Sequence, residues 1–226
     1  MRIVVYQDYL RVGGTEAQSI YLSRKLSDQG HEVIHLTNRP DGPLKDRLSG
    51  SKVQVEHLQS RDFGLNWYAP KLKKRLATLE PEVILLMGRN ANCQGYRIRD
   101  WFPGIRLVAS MRTGRKIPRM YRKTLRVASL VVCNSEFAKK QLLDTKLTKQ
   151  QVEVHPNGCL RHSEILGWEK EGSHRSGERD VFVLLYVAAF VHGKNHRDVL
   201  ELANLLQKMG KEFRIRLIGE GPEKEK

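Results

Sequence analysis

One stretch decides the fold: VLLYVAAFVHGKNHRDVLELANLLQKMGKEFRIRLIGEGP, from Val183 to Pro222. It holds an apolar strand pattern at Val183 to Val187, a loop with Lys194, an amphipathic helix, and a second apolar strand at Phe213 to Ile218. This succession predicts one βαβ unit. Two parallel strands do not bury their apolar faces alone. We therefore expect this segment to begin a second domain, which either packs on something else or continues beyond Lys226.

The rest of the chain repeats the alternation of short apolar runs with helical patterns. This alternation is typical of a parallel α/β sheet. The predicted strands are Arg2 to Tyr6, Glu32 to Thr37, Val53 to Leu58, Glu82 to Met87, Ile105 to Ser110, Leu130 to Asn134 and Val152 to His155.

Two of the intervening helices carry clear end signals. Gly13 and Gly14 predict a turn before the first helix, and Gly30 predicts its end. Thr15 and Gln18 have the spacing of a capping box. A second helix is predicted from the spacing of its leucines and ends before a proline, and Ser135 is the predicted N-cap of a later helix. Those leucines are Leu72, Leu76 and Leu79.

Three segments follow from these patterns. Residues 1–158 form a Rossmann-like domain, residues 159–180 are a polar linker rich in Gly, Ser and charge, and residues 181–226 start the second domain. The fold class is therefore α/β.

The composition favours a protein that binds phosphate groups. The chain has 226 residues and a formal net charge of +15. Such a charge predicts attraction to nucleic acid, anionic lipid or a sugar nucleotide, and it does not choose among them. No run reaches the roughly 20 apolar residues of a membrane span, and the first ten residues do not resemble a signal peptide, so we expect a cytoplasmic protein.

No metal site or disulfide framework is predicted. Cys93, Cys133 and Cys159 are odd in number and lack CxxC spacing. The eight histidines also show no metal-ligand spacing.

Four motifs together resemble the family 4 glycosyltransferases of GT-B fold. They are VGGTE from Val12, VVCNSEFAKKQL followed by VEVHPNG, LLYVAAFVHGKN from Leu184, and LIGEGPE from Leu217. The resemblance implies two Rossmann-like domains of GT-B type, with the second one incomplete in this chain. It also implies an N-terminal acceptor domain, a C-terminal donor domain, and transfer from a UDP-, GDP- or ADP-linked sugar with retention and without a metal. UDP- and GDP-sugars are the expected co-substrates, and no other cofactor is expected.

The first loop is a candidate binding site. Gly13 and Gly14 allow close approach of a ligand to a helix N-terminus, and Glu16 lies in the first helical turn. A tight turn without a ligand explains the glycines equally well. The loop is not GxGxxG, so it does not predict a dinucleotide cofactor.

The second domain supplies the candidate donor site. In the resembling family, a lysine placed like Lys194 neutralises the donor diphosphate. Gly219, Glu220 and Gly221 resemble the turn that lies near the nucleotide. The simpler interpretations are a solvated lysine and an ordinary turn at the end of a strand.

Basic residues follow the fourth and fifth strands. Arg89, Arg112 and Arg115 are expected to line the interdomain cleft and to meet phosphate on donor or acceptor, because ligands bind at the carboxyl edge of open α/β sheets. A solvated basic loop is the alternative. Many family members have a histidine after the fourth strand, but this chain has Met87 to Asn92 there. No catalytic residue is therefore assigned.

The segment Ile117 to Leu125 resembles a basic amphipathic helix that lies on anionic lipid, with an ordinary surface helix as the alternative. In it, Met120, Tyr121 and Leu125 stand among basic residues. Together with the lipid-linked acceptors of the family, it implies peripheral attachment to the inner face of the plasma membrane.

The leading functional hypothesis is a glycosyltransferase that acts on a glycan or lipid-linked acceptor in surface polysaccharide or lipopolysaccharide assembly. The paired glutamates with which the family holds the donor are expected beyond Lys226, so we expect weak donor binding and little or no turnover. A non-catalytic acceptor- or partner-binding α/β module is the alternative. Specific nucleic-acid binding is not expected, because no RRM, KH or zinc-finger signature is present.

Overall fold

The computed structural model describes residues 1–112, 117–148, 150–158 and 181–224. The chain divides into two compact units, Met1–Cys159 and Leu160–Lys226. We describe each unit by itself.

The first unit is built on a parallel sheet of seven strands. Their order in the sheet is β3-β2-β1-β4-β5-β6-β7. The chain thus moves outward from β1 to β3 and returns to place β4 on the other side of β1, which is the arrangement that opens a crevice at the carboxyl ends of β1 and β4. The strands are β1 (Arg2–Gln7), β2 (Glu32–Thr37), β3 (Gln54–His57), β4 (Val83–Leu86), β5 (Arg106–Met111), β6 (Leu130–Cys133) and β7 (Val152–Val154).

Helices cover both faces of this sheet. The alternation of side chains along β1 sends Val4 and Tyr6 to one face and Ile3 and Val5 to the other. The first pair packs in one core cluster with the leucines of α2, and the second pair packs with Ile20 of α1. The described α-helices are α1 (Gly14–Asp28), α2 (Leu72–Leu79), α3 (Arg89–Trp101), α4 (Arg119–Val127) and α5 (Glu136–Asp144), and Lys45–Leu48 form a 3₁₀ turn.

The end signals of the helices are confirmed in two cases and wrong in one. Gly30 has a positive φ of 85° and ends α1, and Ser135 Oγ accepts from Ala138 N at 3.2 Å. The capping box is wrong: Gly13 is the N-cap of α1 and no side chain caps this helix. Gln18 turns instead to the backbone of Gly158, donating to its carbonyl at 2.5 Å and accepting from its amide at 2.8 Å.

The described part of the second unit is the expected βαβ succession. It comprises β8 (Phe182–Val187), a 3₁₀ turn at His192–Lys194, α6 (His196–Lys208) and β9 (Phe213–Ile218). The strands β8 and β9 are parallel and paired from Phe182 and Phe213 onward. Within these residues, Phe190 is the one buried hydrophobic side chain.

None of the helices in the described ranges has the length and apolarity that crossing a bilayer requires.

Candidate functional site

A cavity of about 370 Å³ lies where β1 and β4 end, at the point where the strand order reverses. We call it the β1–β4 cleft. Most of its lining residues are polar, and they carry both signs of charge. It is lined by Gln7, Asp8, Arg11, Thr15, Glu16, Asn66, Met87, Gly88, Arg89, Asn90, Ser110, Arg112 and Tyr121.

Asp8 caps helix α3 from a distant part of the chain. Its Oδ1 accepts from Ala91 N at 2.6 Å, and its Oδ2 accepts from Asn90 N at 2.9 Å and from Asn90 Nδ2 at 3.2 Å. The first free amides of a helix favour an anion. In this protein an internal carboxylate already occupies that place.

Gly88 makes the contact between Asp8 and α3 possible. It is the N-cap residue of α3 and has no side chain. A Cβ at this position would overlap the Asp8 carboxylate and would lie 2.8 Å from the Asp8 amide nitrogen. The backbone of Gly88 is extended, with φ −82° and ψ 162°, so the requirement for glycine is one of space.

Burial raises the pKa of Asp8. Hydrogen bonds from Asn90 and Ala91 and the charge of Arg11 act in the opposite direction without cancelling that effect. The Asp8 carboxyl group caps α3 and also lines the cleft.

Glu16 is the second carboxylate of the cleft, and it is only 7% exposed. Arg11 Nε lies 3.0 Å from Glu16 Oε1. A Cβ on Gly13 would overlap the Glu16 carboxylate, whereas a Cβ on Gly14 would meet open space. Close packing against Glu16 thus explains the glycine at position 13. A contact of Gly13 or Gly14 with a ligand stays a prediction.

Two of the three arginines come together in the cleft. Arg112 donates to Asn157 Oδ1, and burial lowers the pKa of Arg112. Arg89 lies at the start of α3 and also lines a second cavity of about 430 Å³, the arginine pocket. The other residues of the arginine pocket are Ile117, Pro118, Arg119 and Arg122. Arg115 lies outside the described residues.

Tyr121 belongs to the wall of the cleft. Its hydroxyl donates to the carbonyl of Ser110, and burial raises the pKa of Tyr121. Tyr121 is 3% exposed and Leu125 is fully buried. The apolar face of α4 packs in the core beside α3, so these two side chains are not exposed for contact with lipid, and attachment of this helix to a membrane stays a prediction. Met120 is 50% exposed and stays at the surface.

Lys194 lies at the end of the 3₁₀ turn that follows β8, and it is exposed. Two hydrogen bonds hold the backbone of this turn: Lys194 N donates to Val191 O at 2.9 Å, and the Tyr186 hydroxyl donates to Lys194 O. The side chain therefore starts from a fixed backbone at the carboxyl edge of the second sheet.

The glycines after β9 bring two loops together. A Cβ on Gly219 would overlap the Ala188 carbonyl, and one on Gly221 would overlap the Phe190 carbonyl. Phe190 N donates to Glu220 O at 3.0 Å. The Glu220 carboxylate is exposed and accepts from Lys224 Nζ at 2.7 Å. A ligand contact of these residues stays a prediction.

In the described residues no group of three or more His, Cys, Asp or Glu side chains could hold a metal ion. Cys93 and Cys133 are free thiols, and burial raises the pKa of both. Cys159 lies outside the described residues.

Sequence reasoning missed helix α3 and the residues around Asp8. The first turn of α3 is polar, and its cap comes from a residue 82 positions away from Asn90, so local periodicity carries no signal for it. One signal was available: Asp8 stands just after the apolar run of the first strand, where side chains reach the carboxyl edge of the sheet.

The fold is that of the proteins of GT-B type. The structure of Anabaena Alr3699/HepE in complex with UDP and glucose is similar, with a TM-score of 0.63, 18% identity, and coverage of 97% of this chain and 69% of that chain. An alpha-glucosyltransferase in complex with UDP and a 13-mer DNA containing a HMU base has a TM-score of 0.58, 11% identity, and coverage of 100% and 68%. These similarities confirm the predicted α/β fold of GT-B type.

The family follows from sequence. The model of Glycosyltransferase Family 4 matches residues 12–159, and the chain belongs to this family. None of the curated proteins is similar enough in sequence to match.

Proposed function

We propose that this protein transfers a hexosyl group from a UDP- or GDP-sugar to a glycan or lipid-linked acceptor. Membership of Glycosyltransferase Family 4 supports the reaction class. The similar HepE structure contains UDP and glucose, which supports a UDP-linked donor.

The first unit is the proposed acceptor domain, and the observation that carries this proposal is the β1–β4 cleft. Arg89 and Arg112 line it together with polar groups that can orient hydroxyls. Its carboxylates have partners already, since Asp8 caps α3 and Glu16 pairs with Arg11. We therefore propose that the cleft binds and orients an acceptor, and that neither carboxylate is a general base.

The second unit is proposed to bind the donor. Lys194 is exposed beside the fixed turn after β8, and an ammonium group there would neutralise charge on a diphosphate leaving group. Gly219 and Gly221 let the loop after β9 pack closely on the loop after β8, which carries Lys194.

The test is a titration of the 226-residue chain with UDP, followed by NMR. We expect weak binding that shifts the signals of Lys194 and of Gly219 to Gly221. Lys194→Ala should raise the Kd about tenfold, because one charge-assisted contact to phosphate is lost. Lys208→Ala, an exposed lysine on α6, is the matched control and should leave the Kd unchanged.

Absence of any UDP-dependent change at millimolar concentration would contradict this function. The alternative hypothesis, a non-catalytic acceptor- or partner-binding module, would then remain. Where transfer is detected, the coupling constant of the anomeric proton in the product tests the retention of configuration that the family resemblance implies.

The cellular role proposed from the family resemblance is surface polysaccharide or lipopolysaccharide assembly at the cytoplasmic face of the plasma membrane. Since Tyr121 and Leu125 are in the core, attachment through α4 would rest on its basic residues and on Met120. Such attachment is electrostatic and should be lost at high salt. Co-sedimentation with anionic liposomes at low and high salt tests it, and failure to sediment at low salt would contradict it.

A further inference from the structure

A second surface of the first unit is built from aromatic and basic side chains. It is a depression of about 330 Å³ beside α2 and α3. We call it the aromatic groove. Its chemistry is set by Trp67, Tyr68, Trp101, Lys71, Lys73 and Arg97.

Three aromatic side chains of this groove and its loop, Phe63, Trp67 and Tyr68, are exposed to solvent. Trp67 is 61% exposed and Tyr68 39% exposed, and Phe63 and Leu65 of the same loop are 42% and 39% exposed. The rings contact one another edge to face, at 5.9 Å between Phe63 and Tyr68 and 6.2 Å between Trp67 and Tyr68. A contiguous exposed apolar patch of this kind marks a binding surface more often than a single exposed residue does.

The loop that carries these rings is fixed from beneath. Gln59 is fully buried, and its Nε2 donates to Leu65 O at 2.8 Å and to Tyr68 O at 2.7 Å. Its Oε1 accepts from Phe63 N at 3.3 Å. The rings are therefore held open to solvent by a buried amide, which is the preorganisation expected of a binding site.

A second set of contacts fixes the same loop to β2. Arg39 forms two hydrogen bonds of 2.7 Å with the Asp62 carboxylate, and its Nη1 donates to Asn66 Oδ1 at 3.0 Å. Asn38 Nδ2 donates to Asn66 O at 2.7 Å. The aromatic loop is thus tied to the carboxyl edge of the sheet.

The charge of the groove has one sign. Lys71, Lys73 and Arg97 are all exposed, and no carboxylate is among the residues that line the groove. The Lys73 ammonium lies 5.9 Å from the Trp101 ring centroid. Cations next to aromatic rings favour a ligand that has both apolar faces and negative charge.

The groove and the β1–β4 cleft are lined by neighbouring residues of the same loop and the same helix. Asn66 lines the cleft, and the next residue, Trp67, lines the groove. Along α3, Asn90 lines the cleft, while Gln94, Arg97 and Trp101 line the groove. These four positions are spaced by four, three and four residues, so they form one stripe on the helix.

We propose that the aromatic groove binds an anionic oligosaccharide, as the extended part of the acceptor whose reacting end lies in the β1–β4 cleft. The proposal rests on the proposed function. Sugar rings offer apolar C–H faces to Trp67, Tyr68 and Trp101, and their carboxylate or phosphate substituents pair with Lys71, Lys73 and Arg97. A concave site whose lining residues adjoin those of the cleft fits a chain of linked sugars better than a flat lipid surface.

The test uses the 226-residue chain and two tetrasaccharides of equal length, the anionic tetragalacturonate and the neutral maltotetraose. In an NMR saturation-transfer titration at low salt, tetragalacturonate should bind at least about fivefold more tightly than maltotetraose. Trp67→Ala should weaken binding of both sugars about tenfold, since it removes a stacking surface. The double variant Lys73→Gln with Arg97→Gln should remove the preference for the anionic sugar.

Matched controls separate these effects from general ones. Phe137→Ala removes an exposed aromatic ring on α5 that is 75% exposed, and Lys140→Gln removes an exposed charge on the same helix. Both should bind the sugars like the unaltered chain. Circular dichroism should show the same helix content in every variant, because the altered groove residues are exposed.

Several outcomes would overturn the proposal that the groove binds an anionic oligosaccharide. They are no binding of tetragalacturonate at millimolar concentration, equal binding of the two sugars, or unchanged binding by Trp67→Ala. Binding that depends on Trp67 but occurs only with phosphatidylglycerol vesicles or with oligo(dT) would also overturn it. Titration of the same samples with UDP separates the two proposals. A chain that binds the sugar but not UDP contradicts the proposed transferase function, and a chain that binds UDP but not the sugar contradicts the proposed role of the groove.

Discussion

The first unit fixes its candidate residues from within, whereas the second unit presents them on exposed loops. In the cleft, Asp8 and Glu16 are almost wholly buried and bonded to neighbours. In the second unit, Lys194 and Glu220 are exposed. The backbone of Lys194 is held by neighbouring residues of its own loop, and the Glu220 carboxylate pairs with the exposed Lys224. Substitutions in the first site should therefore change the fold and the site together, while substitutions in the second should change ligand binding with little effect on stability.

The same contrast holds for the two sheets. In the first unit, helices cover both faces of β1 and β2, and residues such as Val4 and Ile34 are fully buried. In the second unit, Leu185 and Val187 of β8 are 60% and 67% exposed. Since apolar burial is the main source of stability, the first unit should account for most of the measured resistance to unfolding.

The largest effect is expected from Gly88→Ala. The new Cβ overlaps the Asp8 carboxylate, so either Asp8 moves away from the N-terminus of α3 or the helix shifts. Overpacking and the loss of hydrogen bonds to Asn90 and Ala91 should together lower the free energy of unfolding by about 4 kcal/mol. Urea denaturation followed by tryptophan fluorescence measures the change.

The control for Gly88 is Gly14→Ala. A Cβ on Gly14 meets open space at the start of α1, and alanine is the better helix former. Its substitution should be neutral or should stabilise by up to about 1 kcal/mol. An equal loss in both variants would show that the fit of Asp8 against α3 is not what requires glycine at position 88.

A smaller effect is expected from the pH dependence of His35. This side chain is fully buried, Ser23 Oγ lies 2.8 Å from its Nδ1, and burial lowers the pKa of His35 from 6.5 to about 4. The folded state therefore resists protonation. The contribution of neutral His35 to the free energy of unfolding is therefore complete above pH 6.5. It is lost as the pH falls toward 4, and the total loss is about 3 kcal/mol.

The variant His35→Asn isolates this contribution. The packing cost of this substitution is the same at every pH. The free energy of unfolding of the variant should therefore fall less steeply between pH 6.5 and 4, by about 3 kcal/mol less over this range. Urea denaturation at a series of pH values gives the slope. If the slope were the same in both proteins, His35 would be protonated as easily in the folded state as in the unfolded chain.

The sequence predicts the elements that obey local rules. The strand at Glu32 to Thr37, the inward leucines of α2 and the end of α1 at Gly30 all follow from periodicity or from glycine chemistry, and the structure has them. Helix α3 escapes such reasoning because its cap is Asp8, which is near only in the folded chain. Burial of Tyr121 was hidden for a related reason, since an amphipathic pattern does not say whether core or lipid covers the apolar face.

The candidate site also has features that follow from the sequence and features that depend on the folded chain. Arg89, Arg112 and Glu16 could be placed at one edge because the carboxyl ends of parallel strands meet there, and all three line the cleft. Their partners could not be predicted. The pairing of Arg112 with Asn157 joins residues 45 positions apart, and that of Glu16 with Arg11 depends on the shape of the turn at Gly13.

The smallest effect tests the comparison from the side of the second unit. Leu205 on α6 is 57% exposed, so Leu205→Ala removes little buried surface and should cost no more than about 0.5 kcal/mol. The matched change in the first unit is Leu76→Ala, where the side chain is 1% exposed, and it should cost about 3 kcal/mol. Urea denaturation of both variants gives the two values. A loss of more than about 2 kcal/mol for Leu205 would show that this face of α6 is covered in solution, and it would remove the contrast between a buried first unit and an open second one.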